Sequence, residues 1–295
     1  MKAVVCGYGG FGHAGLSAVL RAGLDVPLVL THADSANECC WWESMAGLAK
    51  ARNLPVVLDA DLAADTTRDR IAAAKPDFIF SFFFRHLIPT RILSLAPRGA
   101  FNLHTSLLPL FRGRAPINWQ LVHGAQRTGF TLHRMVERAD AGGIVLQEAF
   151  AIDPDEDAYA LTSRMLTLVP GFLDRALAPI VAGTAVEKPQ DISTGSVFGR
   201  RTPEDGRIYW IEPARLIHNL VRAVAPPWPG AFTSSSGTRI VIARTRVVAE
   251  TGVLGAPGTC LPSGAIACGT GAIHILCAYA GAQGFSPRPG TILGS

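Results

Sequence analysis

Apolar runs alternate with helix-like periodicity through the first half of the chain. The short apolar runs, which are typical of buried strands, occupy residues 2–6, 26–31, 77–84 and 100–103. The segments with apolar residues at helical spacing occupy residues 12–22, 41–52 and 61–74. This alternation predicts an α/β fold, with a Rossmann-like and mostly parallel sheet covered by helices on both faces.

The amino-acid composition of the chain changes near residue 191. Before that point, an acidic run at residues 153–157 precedes an apolar-periodic stretch reaching residue 181, which predicts a helix with carboxylates at its N-terminus. Beyond it, a segment rich in Ser, Thr, Gly and Arg leads to one helix and several short strands, at residues 213–225, 239–248, 264–268 and 272–278. The expected organisation is a first domain at residues 1–190, a linker at 191–204 and a small β-rich, OB-like domain at 205–295.

Composition narrows the class of protein. Hydrophobic residues make up 48% of the 295 positions, which supports a large core and excludes disorder as the main state. The 27 basic and 23 acidic residues give a net charge of +4, and the cations are scattered, which argues against a nucleic-acid partner. No secretory signal opens the chain, and the six cysteines lack CxxC or metal-ligand spacing. We therefore expect a cytoplasmic protein with reduced thiols, no metal site and no membrane partner.

A glycine-rich turn follows the first predicted strand. Residues 7–12 read GYGGFG, which matches G-x-G-x-x-G before a predicted helix, and Asp34 lies further along the chain. This context is that of a dinucleotide-binding fingerprint, so an NAD-linked enzyme is one hypothesis. The alternative is a tight strand-to-helix turn that needs glycine for its geometry and meets another phosphate ligand.

A second cluster of polar residues lies at residues 101–119. Asn102 and His104 alternate with apolar residues, so on a strand both side chains point to one face, at the sheet edge where open α/β proteins bind ligands. A histidine there can hold or move a proton, and an asparagine amide can donate to a developing oxyanion. Arg112 and Arg114, on a loop bounded by prolines, suit phosphate or carboxylate groups.

A third candidate, Asp140, lies in a glycine-bearing turn between two strand-like runs. A carboxylate at such a turn is often only an Asx turn. A mechanism that needs a proton acceptor beside His104 would give Asp140 a chemical role.

Taken together, Asn102, His104 and Asp140, with SLLP at residues 106–109, resemble the folate-dependent formyltransferases, a family whose catalytic trio is Asn–His–Asp. The likeness extends over nearly the whole chain and is most evident at residues 81–88, 101–119, 131–142, 198–203 and 222–232. It is greatest to the branch that formylates UDP-4-amino-4-deoxy-L-arabinose, which serves lipid A modification and polymyxin resistance. Thr105 and Leu110 depart from that branch, which has glycine and lysine there.

The resemblance implies an N-formyltransferase with 10-formyltetrahydrofolate as its formyl donor and a small-molecule sugar nucleotide as acceptor. Asn102 and His104 would stabilise the oxyanion, and Asp140 would orient His104 and accept the amine proton, the choice of formal base staying open. The donor is expected along Arg85, His86, Leu87, Ile88, Val136 and Ala139. The residues expected to bind the nucleotide are Gly9, Arg112, Arg114, Asn118, Arg200 and Arg201, with a solvated hinge as the alternative for the last two.

Three alternatives stay open on sequence grounds. The acceptor can be another amino-sugar nucleotide, because the departures at Thr105 and Leu110 lie in the substrate-facing loop. Methionyl-tRNA is disfavoured, because the family members that act on tRNA carry a basic insertion where residues 31–50 of this chain have a net charge of −2. The NAD-linked hypothesis is the most remote, since relatives keep the strand–turn–helix and bind no dinucleotide. The oligomeric state is left undetermined.

Overall fold

The structure of the chain is a computed structural model, which describes residues 1–34 and 40–294. Glu38, counted above in the charge of residues 31–50, therefore lies outside the described residues. Backbone contacts divide the chain into two units. The first contains Met1–Gly113, Thr128–Phe150 and Arg164–Val197, and the second contains Arg114–Arg127, Ala151–Ser163 and the residues from Phe198 onward. The expected domain boundaries at residues 190 and 205 stay a prediction.

A seven-stranded sheet with the order β3-β2-β1-β4-β5-β7-β8 forms the centre of the first unit. Its strands are β1 (Lys2–Gly7), β2 (Asp25–Thr31), β3 (Val56–Leu58), β4 (Phe78–Phe82), β5 (Gly99–His104), β7 (Arg127–Arg134) and β8 (Ile144–Ala151). Strands β1 to β5 run parallel, and β7 pairs antiparallel with β5. Two short strands, β6 (Arg112–Gly113) and β9 (Val197–Phe198), form a separate sheet. The predicted Rossmann-like, mostly parallel sheet is confirmed.

Two of the helices associated with this sheet begin later than the periodicity predicts, and the first helix begins earlier. They are α1 (Gly9–Arg21), α2 (Met45–Ala51), α3 (Asp65–Ala74), α4 (Thr90–Leu93) and α6 (Ala158–Ala182), the last of which starts in the second unit. Helix α2 begins at Met45 rather than at residue 41, because the Ser44 hydroxyl accepts the Gly47 N–H at 3.2 Å and caps the helix there. Asp61 likewise accepts the Ala63 N–H at 2.8 Å, which forms a turn ahead of α3.

The core of the first unit is centred on β4. All five of its residues are buried, as expected for a parallel strand covered on both faces. Helix α1 approaches β4 closely at Gly15, where an added Cβ would lie 2.2 Å from the ring of Phe82. Glycine at this position therefore lets the helix backbone rest directly on an aromatic ring, which brings the α1 N-terminus to the carboxyl end of β1.

The second unit contains an antiparallel sheet with the order β10-β11-β13-β12, and β14 pairs with β13. Its elements are α5 (Pro116–Val122), α7 (Ala214–Ala223), β10 (Ala231–Ser235), β11 (Thr238–Ala249), β12 (Ile266–Ala267), β13 (Ala272–Ala280) and β14 (Gln283–Gly284). The Asn118 side-chain amide donates to the Ala223 carbonyl at 2.7 Å and joins α5 to the end of α7. The predicted β-rich character of the C-terminal region is confirmed.

Among the described residues, α6 alone is long and apolar enough, by length and composition, to cross a bilayer. The core helix of a water-soluble protein has the same two properties, so this finding is weak evidence for a membrane span.

Substitution of Gly15 tests the contact between α1 and β4. Gly15→Ala places a methyl group against the buried Phe82 ring, so we expect a loss of about 1–3 kcal/mol in the free energy of unfolding. The matched control is Gly171→Ala in α6, where the nearest atom is the Arg175 Nη1 at 3.5 Å; we expect a gain of about 0.5–1 kcal/mol there. Urea denaturation of both variants measures the difference, and equal stabilities would contradict the close packing.

Candidate active site

Polar side chains from three segments meet at the carboxyl end of β5. Asn102 and His104 lie on the same face of that strand because successive side chains alternate. Strand β7 lies antiparallel beside β5 in a register that sets His133 opposite Asn102. The turn after β7 brings in Asp140, whose backbone has the left-handed φ of 51°. All four residues belong to the first unit.

The Asp140 carboxylate is the centre of this cluster. Its Oδ1 lies 3.3 Å from the His133 Nε2 and 3.7 Å from the His104 Nδ1. The Asn102 side-chain amide donates to the same oxygen at 3.5 Å. The backbone N–H of Gly113 donates to Oδ2 at 2.8 Å. Of the three side chains that the sequence analysis singled out for chemistry, Asn102 and His104 therefore both contact the third, Asp140.

The surroundings of Asp140 favour its ionised form. Burial alone raises the pKa of a carboxyl group, and the Asp140 side chain is only 12% exposed. The charge of His104, the hydrogen bond and charge of His133 and the Gly113 N–H outweigh that effect and bring the Asp140 pKa well below its usual range. Asp140 is therefore a carboxylate at any pH near neutrality.

The His104 ring is held between two acceptors. Its Nε2–H donates to the Phe111 carbonyl at 2.8 Å, and its Nδ1 faces the Asp140 carboxylate. The side chain is 6% exposed, so little water competes for either nitrogen. The bond to the Phe111 carbonyl and the contact with Asp140 therefore fix the ring on the face of β5 that also carries Asn102.

His133 belongs to the same cluster and was missed as a functional residue. Its Nδ1–H donates to the Arg134 carbonyl at 2.9 Å, and its Nε2 lies 3.3 Å from the Asp140 Oδ1 and 3.2 Å from the Asn102 side-chain nitrogen. These contacts fix the His133 ring beside Asn102 and Asp140. The available signal was the alternation along β7, in which His133 lies two positions after Thr131 and therefore on the same face of the strand.

Gln190 is a second residue that sequence reasoning missed. Its side-chain amide donates to the Asp140 carbonyl at 3.1 Å and to the Gly142 carbonyl at 2.6 Å. The chain separation of 50 residues from Asp140 leaves no local pattern that could have revealed this contact.

The residues expected to bind the donor lie on two exposed segments next to apolar core. Arg85, His86 and Leu87 follow the end of β4 and are exposed, as are Val136 and Ala139 in the turn after β7. Ile88 is 5% exposed and belongs to a hydrophobic cluster against which Met135 packs. It therefore serves as core beneath the segment rather than as surface.

Residues 85–88, which follow β4, are hydrogen-bonded to His32, the residue directly after β2. The backbone N–H of Arg85 donates to the His32 Nε2 at 3.3 Å, and the opposite nitrogen donates to Asp59 at 3.0 Å. The Arg85 guanidinium lies 4.0 Å from the centre of the Tyr8 ring, a cation–π contact.

Two of the expected nucleotide-binding residues belong to the first unit. Gly9 has a left-handed φ of 58°, and an added Cβ would lie 3.0 Å from the Trp42 Nε1, so this indole packs against the glycine backbone. Arg112 is 3% exposed, and its Nη2 donates to the Ile192 carbonyl at 3.2 Å. Its Nε and Nη1 are buried and have no hydrogen-bond partner among the described residues.

The other four expected nucleotide-binding residues belong to the second unit. Arg114 and Arg200 are exposed. The Asn118 amide is bonded to the Ala223 carbonyl. The Arg201 guanidinium lies 4.6 Å from the centre of the Trp119 ring and donates to the Asp205 carbonyl at 2.9 Å. These contacts do not join the four residues into one binding site.

No group of three or more His, Cys, Asp or Glu side chains within residues 1–34 and 40–294 is arranged to hold a metal ion. The site at the end of β5 is suited to acyl transfer. It combines a buried carboxylate, an imidazole and an amide whose positions are fixed by hydrogen bonds.

Comparison with known proteins assigns the family. The chain matches the formyl transferase model over residues 24–177 and the model of the formyl transferase C-terminal domain over residues 200–282. It belongs to the formyl transferase family, and the predicted enzyme class is confirmed.

Solved structures share the fold at low sequence identity. The chain is 18% identical to WlaRD, a sugar 3N-formyl transferase solved with dTDP and 5-N-formyl-THF, with a TM-score of 0.72 over 98% of this chain and 99% of that one. It is 18% identical to an N-formyltransferase from Helicobacter canadensis in complex with folinic acid and dTDP-3-aminofucose, with a TM-score of 0.71 over 97% and 100%. HypX from Aquifex aeolicus, in complex with tetrahydrofolic acid, is 18% identical with a TM-score of 0.63 over 95% of this chain and 44% of that one.

The His32 contacts predict a pH dependence of stability. Burial lowers the His32 pKa below its ordinary value of about 6.5, with Arg85 and His86 acting in the same direction and Asp59 opposing them. Protonation in the folded state must break the bond from the Arg85 N–H, so the contribution of His32 is complete above pH 6.5 and is lost as the pH falls through the lowered folded value.

We therefore expect the free energy of unfolding of His32→Gln to fall less steeply below pH 6.5 than that of the parent protein. The difference is at most about 1.4 kcal/mol per pH unit for one proton. Denaturant titrations at several pH values measure it, with His274→Gln in β13 as the control. Parallel curves for parent and His32→Gln would disprove the assignment.

Proposed function

We propose that this protein transfers the formyl group of 10-formyltetrahydrofolate to the amine of a sugar nucleotide, with UDP-4-amino-4-deoxy-L-arabinose as the acceptor. The observation that carries this proposal is the contact of the Asp140 carboxylate with His104 and Asn102 at the end of β5. The family match supports the formyl transfer itself.

The residues near the end of β4 fit a flat, partly apolar donor. Leu87 is 63% exposed and Val136 is 39% exposed, so both present apolar surface that the core does not use. The turn at residues 136–140 adds backbone donors and acceptors, which suit the polar edge of a pterin ring. When bound, 10-formyltetrahydrofolate supplies the carbon that the acceptor amine attacks.

Asn102 and His104 supply the groups that stabilise developing negative charge. Attack by the amine places charge on the formyl oxygen, and donors fixed before the reaction lower the barrier because they need no reorganisation. His104 is already oriented by the Phe111 carbonyl, and Asn102 is oriented by its hydrogen bond to Asp140. Both side chains lie on one face of β5, toward the end of the strand.

The third group, Asp140, orients His104 and takes part in proton transfer. As an ionised group it lies 3.7 Å from the His104 Nδ1 and helps to orient that ring. The attacking nitrogen becomes cationic and must lose a proton, while the donor nitrogen must gain one as its bond to the formyl carbon breaks and tetrahydrofolate leaves. Asp140 would pass the proton from the first nitrogen to the second, directly or through water. No metal ion is needed for any of these roles.

The nature of the acceptor rests on two lines of support. Among the solved structures, WlaRD is a sugar 3N-formyl transferase with dTDP present, and the Helicobacter canadensis enzyme is in complex with dTDP-3-aminofucose, which supports a sugar nucleotide. The arabinose derivative rests on the sequence resemblance, as do a cytoplasmic location and a role in lipid A modification. A dTDP-amino sugar is the second candidate acceptor, favoured by the same two structures.

Mass spectrometry of the reaction product tests the proposal. We expect purified protein with 10-formyltetrahydrofolate and UDP-4-amino-4-deoxy-L-arabinose to give a product heavier by one formyl group. Each of Asn102→Ala, His104→Ala and Asp140→Ala is expected to lower kcat by about 100-fold or more, because each removes a group that acts on the reacting atoms.

Circular dichroism of the three variants provides the control for folding. Formylation of dTDP-3-aminofucose alone would keep the mechanism and replace the acceptor. Transfer only to methionyl-tRNA would reject the sugar-nucleotide proposal, and near-normal kcat in His104→Ala would reject the catalytic assignment.

A further inference from the structure

Residues 190–196 lie across the active-site loops, although the composition of residues 191–204 is that of a linker. We propose that this segment, here called the strap, positions the catalytic groups, with Gln190 as a positioning residue for Asp140. The inference rests on the proposed roles of Asp140 and His104. All of its contacts lie within the first unit.

The first contact of the strap holds the turn that carries Asp140. Asp140 has a φ of 51°, a left-handed conformation that costs a non-glycine residue free energy and persists only where the surroundings enforce it. Gln190 donates to the carbonyl of Asp140 itself and to that of Gly142, so one amide spans the turn. Asp140 is thus fixed by Gln190 through its backbone and by Gly113 through its carboxylate.

The second contact holds the carbonyl that orients His104. The backbone N–H of Phe111 donates to the Ser196 hydroxyl at 2.9 Å, and Phe111 has a left-handed φ of 57°. The Phe111 carbonyl in turn accepts from the His104 Nε2–H. The strap therefore reaches both partners of the Asp140–His104 pair.

The strap is also closely packed against the same loop. An added Cβ on Gly195 would lie 2.2 Å from the Pro109 carbonyl oxygen, so glycine permits this approach. Arg112 donates from its backbone to the Ser196 carbonyl at 2.9 Å and from its guanidinium to the Ile192 carbonyl. These bonds leave the strap little freedom to move without moving the loop.

The strap acts on kcat because it determines where Asp140 lies. Without the Gln190 amide, two carbonyls lose their donor and the turn can relax from its left-handed conformation. A displacement of the carboxylate by about 1 Å can cost as much as 100-fold in rate, because general-base and electrostatic effects depend on fixed geometry.

The first experiment compares Gln190→Ala with the matched control Gln126→Ala, in which the altered side chain is exposed. With 10-formyltetrahydrofolate and UDP-4-amino-4-deoxy-L-arabinose, or with whichever acceptor the product analysis selects, we expect Gln190→Ala to lower kcat by about 10- to 100-fold. Both KM values should stay within about threefold of the parent. An unchanged kcat, or a loss confined to KM, would overturn the proposal.

Gln190→Glu provides a variant of nearly the same size, which serves also if the alanine variant folds poorly. The introduced carboxylate, when ionised, has no hydrogen to donate to the two carbonyls, whereas the protonated acid has a single O–H. We expect the kcat of this variant, relative to the parent, to rise as the pH is lowered, while the ratio for Gln190→Ala stays flat. Equal pH profiles for the two variants would show that Gln190 acts through its volume and not through its hydrogen bonds, which would overturn the proposal.

Asp140→Asn separates the failure of this inference from the failure of the catalytic assignment. Normal turnover in Asp140→Asn would reject the role of Asp140, whatever the Gln190 variants do. An inactive Asp140→Asn together with a fully active Gln190→Ala would retain the mechanism and reject the strap alone.

Discussion

An ionised carboxylate that is mostly buried imposes the main constraint on the active site. Removing Asp140 from water costs free energy, and the cost is met only if donors surround both of its oxygens. The side chains of Asn102 and two histidines lie within 3.7 Å of Oδ1, and the Gly113 N–H donates to Oδ2. These groups come from three separate stretches of chain, so β5, β7 and the loop to Gly113 have to meet at one point. The positions of these elements follow from that requirement.

The conformational strain of the site is part of the same constraint. Asp140 and Phe111 both adopt left-handed backbone conformations, and both flank His104. Such conformations persist where surrounding contacts enforce them. A segment with the composition of a linker supplies those contacts through Gln190 and Ser196. Composition reports how a segment is solvated on average, and it does not report which of its few side chains reach a distant turn.

The sequence was informative where a contact is local and periodic. Alternation along β5 was sufficient to predict that Asn102 and His104 share a face, and the family motif added Asp140. It was uninformative where pairing is long-range. His133 joins the cluster only because β7 runs antiparallel beside β5, and Gln190 joins it from 50 residues away. Helix α2 begins later than predicted because the Ser44 side chain caps it through a single hydrogen bond, which the periodicity of apolar residues does not reveal.

The glycine-rich turn shows how one pattern can satisfy two physical demands. A Cβ on Gly7 or Gly12 would lie 2.8 Å from the Met45 sulfur, and Gly9 lies against the Trp42 indole. Close packing between β1, α1 and the start of α2 is therefore enough to require glycine at these positions. The same spacing in a dinucleotide-binding protein permits approach of a pyrophosphate. Because packing already accounts for the glycines here, the motif carries no independent argument for NAD, and the polar residues at the end of β5 carry the functional assignment.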